Sequence, residues 1–169
     1  MQKQQKFSEN EKMSDLIIEN HSLLLVISRF GLSLGFGDKT VKEICETSGI
    51  DCTTFLAVVN FLSEDNFEVD YVHDNISIES IVDYLKNAHN YFLDFKLPAI
   101  RTKLLEAVNI GEQNIPYSLL FIKFFDEYVA EVQKHMKYED KVVFPYVLEL
   151  LKGKKELKYS ITVFQEHHN

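Results

Sequence analysis

At 169 residues with 46% hydrophobic content, the chain is long enough for one well-buried core or two small ones. Its 18 Lys and Arg against 26 Asp and Glu leave a formal charge of −8, which repels phosphate backbones and anionic membranes and argues against nucleic acid and membrane as partners. No run of about eighteen apolar residues occurs and Met1 to Lys12 is polar, so the chain reads as a cytoplasmic protein.

Residues 1–13 read as a frayed or disordered start. Residues 14–63 follow as a small helical domain of short helices, broken at Gly31, Gly35, Gly37 and Gly49. Cys45 and Cys52 flank the Gly49-Ile50 turn, and a chain of this size needs no disulfide, so both are expected to be reduced packing thiols. Residues 64–76 are polar and acidic, carry His73, and read as a linker in which Phe67, Val69, Tyr71 and Val72 form a short extended piece. From 77 to 169 the apolar spacing becomes that of longer helices. One is predicted from Ser77 to about Val108 and a second from Pro116 to about Lys152, joined through Gly111 to Ile115. Leu157, Ile161 and Phe164 then begin a third helical pattern that stops at Asn169. The fold class is all-α.

The second long helix carries an apolar seam at Phe121, Phe125, Tyr128, Val132, His135, Glu139, Val142 and Tyr146, spaced alternately four and three apart. His135 and Glu139 lie one turn apart, about 40° around the helix, inside that seam. A buried carboxylate without a partner there costs at least about 3 kcal/mol. The first long helix places His89 in the row Ile78, Val82, Leu85, His89, Phe92, and the last segment places His168 in the row Leu157, Ile161, Phe164, His168. Any one of these histidines taken alone reads first as a core residue satisfied by a hydrogen bond. Imidazoles and a carboxylate converging from several helices make the donor set of a non-haem di-iron or di-manganese site. Zinc competes for the same ligands, with the cysteines too distant in sequence to join. His21 and His73 read as surface residues.

The stretch His135-Met136-Lys137-Tyr138-Glu139-Asp140-Lys141-Val142-Val143-Phe144-Pro145 resembles the hemerythrin-like motif, in which a His, a Glu four residues on and a Phe-Pro pair share a helix. Asn87-Ala88-His89-Asn90-Tyr91-Phe92 with Leu97-Pro98 is similar to that bundle's first helix, and Phe164-Gln165-Glu166-His167-His168-Asn169 to the start of its third. Ile17 to Asn20, Arg29-Phe30-Gly31 and Thr40 to Cys45 resemble the small domain that precedes the bundle in the repair-of-iron-centres proteins. The resemblance implies a small helical domain followed by an incomplete up-down four-helix bundle that stops before its fourth helix. It implies metal ligation by His89, His135, Glu139 and His168, with His167 as the alternative to His168, and a di-iron centre that this chain completes only in part. The implied function is repair of iron-sulfur clusters damaged by nitric oxide or oxidative stress, with iron-sulfur proteins as clients. Apolar seams without a covering layer imply a homodimer or higher self-association.

Three rivals stand beside this reading. A hemerythrin-like carrier or sensor would bind dioxygen or nitric oxide without repairing anything. A metal-free bundle would hold His89, His135 and Glu139 as a hydrogen-bonded network. Lys39 to Leu62 has the outline of a helix-turn-helix, yet Cys52 to Leu62 contains no Lys or Arg to meet phosphates or guanines.

Overall fold

The computed structural model describes residues 7–63, 75–110 and 115–154. The extended piece at Phe67 to Val72, His73, most of the connection after Ile110, and the third helical pattern with His167 and His168 lie outside the described residues. Among those described, the chain is all-α and no strand forms; Lys12 and Thr40 make one isolated bridge. Contacts divide the chain into two compact units, Met1–Asn87 and Ala88–Asn169.

Among its described residues the first unit holds the short helices α1 (Met13–Glu19), α2 (Leu23–Arg29), α3 (Val41–Ser48) and α4 (Cys52–Ser63). The break between α1 and α2 needs no glycine, because Asn20 turns the chain by accepting the Ser22 N–H on its own Oδ1 at 3.0 Å. Thr40 and Glu43 start α3 with a reciprocal capping box. Gly49 ends it at φ 67°, a left-handed position that a side chain resists. Met13, Leu16, Leu23, Ile27, Val41, Phe55 and Val59 form the core, each with almost no exposed surface. Asn60 is also buried there, and it is satisfied: its Oδ1 accepts the Phe7 N–H at 2.8 Å and its Nδ2 donates to the Phe7 carbonyl at 3.0 Å. That exchange pins the incoming chain to α4.

Cys45 is buried and Cys52 half-buried, and both are free. Burial pushes both thiols above their ordinary range, which suits packing rather than thiolate chemistry. His21 is exposed, as expected of it.

α5 (Ile78–Tyr91) opens the longer helices, and the division between units falls inside it, since Tyr84 belongs to the first core. The Tyr84 hydroxyl accepts from Arg29 at 3.2 Å, and its ring packs on Phe30 with centroids 4.9 Å apart.

The two long helices predicted from spacing are both helical, but each is interrupted by a π turn. The first comprises α5, a π turn at Phe92–Lys96 and α6 (Leu97–Ile110). The second comprises α7 (Ile115–Tyr138), a π turn at Glu139–Val143 and α8 (Phe144–Leu151). Each π turn ends two residues before a proline, Pro98 or Pro145. Proline cannot donate to the preceding turn, and its ring crowds the carbonyl four residues back. Widening the turn relieves both problems: Leu97 N–H reaches the Phe92 carbonyl and Phe144 N–H the Glu139 carbonyl, five residues back. α6 packs on α7, where Arg101 forks onto Asp126 with Nε–Oδ1 2.7 Å and Nη2–Oδ2 2.9 Å. The Arg101 guanidinium holds the Asp126 carboxyl below its usual range.

The predicted seam of α7 needs correction at both ends. Phe121 and Tyr128 are exposed, at 66% and 54%, whereas Ile122 is buried. Beyond Glu139 the buried positions are Val143 and Phe144, not Val142 and Tyr146. A π turn inserts one residue into the helical repeat, so every position after it moves round by one step.

Candidate metal centre

Three of the predicted site residues come together in the second unit: His89 from the last turn of α5, His135 from the last turn of α7, and Glu139 at the head of the π turn. Glu139 lies between the two imidazoles. Its Oε2 is 3.4 Å from His89 Nε2 and its Oε1 is 3.5 Å from His135 Nε2. The His89 and Glu139 side chains are 10% and 18% exposed, while His135 is 45% exposed and opens the site to solvent. His167 and His168 fall outside the described residues.

A residue that the seam spacing passed over completes the surroundings. Asp140 Oδ1 is 2.9 Å from His89 Nδ1, so two consecutive carboxylates face opposite nitrogens of one ring. The Phe144 ring stacks on His89 with centroids 5.7 Å apart and planes 22° from parallel. The π hydrogen bond from Phe144 N–H to the Glu139 carbonyl puts these two residues on one side of the helix, next to the same imidazole. The sequence signal for Asp140 was a second acid beside the one already assigned.

The contacts are of two lengths, one that of a hydrogen bond and two longer ones that leave room for a cation. A charge-assisted N–H···O contact closes to about 2.7–2.9 Å. Two ligands of one ion, each bonded at about 2.1 Å, stand about 3.0–3.5 Å apart at angles between octahedral and tetrahedral. The Asp140–His89 contact falls in the first class, and both Glu139 contacts fall in the second. Among the described residues no three His, Cys, Asp or Glu side chains gather around a single point as a metal-holding group. They form instead two imidazole–carboxylate pairs that share Glu139. His89, His135 and Glu139 would supply nitrogen and oxygen donors to a bound cation, with further ligands required to close its shell.

Imidazole nitrogens and carboxylates brought together by helices are the furniture of a cation-binding helical domain. Residues 80–169 match the hemerythrin HHE cation binding domain. That match spans more than half of the chain, which belongs to the hemerythrin HHE family. No curated protein and no solved structure matches it. No helix among the described residues is long and apolar enough to cross a membrane.

Proposed function

We propose that this chain is a cytoplasmic non-haem di-iron protein that takes part in repairing iron-sulfur clusters damaged by nitric oxide or oxidative stress. The observation that carries the di-iron part is the single Glu139 carboxylate, whose two oxygens face two different imidazoles. His89 and His135 supply neutral nitrogen donors, and Glu139 supplies the shared negative charge. His168, or His167 in its place, is the expected ligand from the third helical segment. Bound iron supplies one-electron chemistry and affinity for small gaseous ligands. The chain's own contribution is to hold the His89 side dry under Phe144 and to leave the His135 side open, through which iron moves in or out. The donors also accept zinc or manganese, so elemental analysis of anaerobically purified protein decides the metal.

The repair part is supported by the small helical unit that precedes the HHE region and resembles the corresponding domain of the repair-of-iron-centres proteins. It is tested by mixing the reduced, iron-loaded chain with an apo iron-sulfur protein under a weak iron chelator. Recovery of cluster absorbance in the client is the expected result. A chain that binds nitric oxide or dioxygen and returns it, while the client stays apo, is a carrier or sensor instead.

A further inference from the structure

We propose that Asp140 is a positioning residue that fixes the His89 ring and its tautomer, so that the Nε2 lone pair points at the space beside Glu139. The inference rests on the metal-binding reading of this site and adds to it a residue that ligates nothing itself.

A carboxylate only accepts hydrogen bonds. With Asp140 Oδ1 2.9 Å from His89 Nδ1, the proton of the neutral ring sits on Nδ1, and Nε2 is left as a bare acceptor. Nε2 then faces another acceptor, Glu139 Oε2, across 3.4 Å. Two lone pairs opposed at that distance in a mostly buried place repel each other until a cation lies between them. Asp140 thus creates a demand for a cation that an Nε2-protonated ring would satisfy with its own hydrogen. Phe144, stacked against the face of the imidazole, restrains the ring from swinging away. Asp140 is adjacent to Glu139 in sequence, so the π turn that begins at Glu139 carries both acids to the two nitrogens of one imidazole. A carboxylate behind a ligating histidine also raises the basicity of the nitrogen that binds, and loss of such a partner costs about 10- to 100-fold in metal affinity.

The test uses the full chain in two states. In metal-free protein labelled with ¹⁵N-histidine, at a pH where the imidazoles are neutral, the His89 signals are assigned by their loss in His89→Gln. Nitrogen shifts then report which ring nitrogen holds the proton. The parent is expected to carry it on Nδ1. Asp140→Asn, whose amide oxygen still accepts, should keep that tautomer, and Asp140→Leu should move the proton to Nε2. Ferrous iron affinity should follow the same order, with the leucine variant weaker by about 10- to 100-fold and the asparagine variant between it and the parent. Circular dichroism should be equal for all three. A leucine variant that keeps the Nδ1 proton, or that shifts the tautomer yet binds iron like the parent, overturns the inference. Loss of iron in that variant with no change of tautomer also overturns it, since Asp140 would then be a ligand. If the parent binds no iron at all, the metal-binding reading of the site falls. The positioning role of Asp140 then stands or falls on the tautomer alone.

Discussion

A carboxylate that faces two imidazoles contributes to both sides of a site, whereas each imidazole contributes to one. Substitution at Glu139 should therefore do more damage than substitution at either histidine. His135→Ala is expected to retain part of the bound iron, because His89, Asp140 and Glu139 remain as they were. Glu139→Ala should lose nearly all of it, since both imidazole–carboxylate pairs disappear together. Neither change removes a core side chain, so far-UV circular dichroism should be unchanged in both. Iron stoichiometry after anaerobic loading decides the ranking, and a Glu139→Ala protein that holds as much iron as His135→Ala contradicts the bridging role. His89, His135 and Glu139 were legible in the sequence because each interrupts an apolar row at helical spacing. Asp140 was not, because its part depends on which nitrogen of His89 it faces, and spacing along one helix says nothing about the partner's ring.

At the scale of elements, helix limits were readable from Gly49, Thr40 and the apolar repeats, and the two prolines were visible as well. What spacing does not carry is how a helix accommodates a proline. A kink, a break and a π turn all begin from the same sequence, and only the π turn adds a residue to the repeat. That is why the seam departs from the spacing after Glu139, where Val143 and Phe144 are buried in place of Val142 and Tyr146. The outward position of Phe121 and Tyr128 has a different cause, since a repeat of four and three fixes the spacing of a stripe but leaves open which of two neighbouring stripes a partner helix covers. The π turn itself can be tested by deleting Lys141 together with Pro145→Ala, which restores an uninterrupted α-helical repeat. Phe144 then stands four residues after Glu139 and keeps its N–H on the Glu139 carbonyl, so α8 holds its place while Asp140 and the rest of the turn lose the widened geometry. Helix content should stay the same and melting should be no lower than the parent's, while iron binding weakens because Asp140 no longer meets His89 as the π turn sets it. Parent-like iron binding in the double variant would show that the one-residue insertion has no part in the site.

For the whole molecule, charge and exposed apolar surface act in opposite directions, and the balance sets what the chain associates with. The charge of −8 and the absence of Lys and Arg from Cys52 to Leu62 oppose duplex DNA. Anisotropy titration at low salt is expected to find no submicromolar binding. We propose that the exposed apolar surface of α7 is covered by a second copy of the chain. Leu119, Leu120, Phe121, Phe124 and Tyr128 lie exposed within three turns of α7, a concentration of large side chains that soluble monomers rarely leave uncovered. Self-association through this face brings like charges together, so it should weaken at low ionic strength and strengthen as salt screens the repulsion, opposite to the behaviour of a charge-driven complex. Sedimentation velocity across protein concentration and salt measures this directly. The parent chain is expected to form dimers or larger species that grow with salt. Phe121→Glu combined with Phe124→Glu should shift it to monomer by adding charge and removing aromatic area at once, without touching His89, Glu139 or Asp140. A parent chain that stays monomeric at high salt and high concentration would mean that the exposed face of α7 does not bind a second copy. A double variant that associates as the parent does would place the interface elsewhere on the molecule.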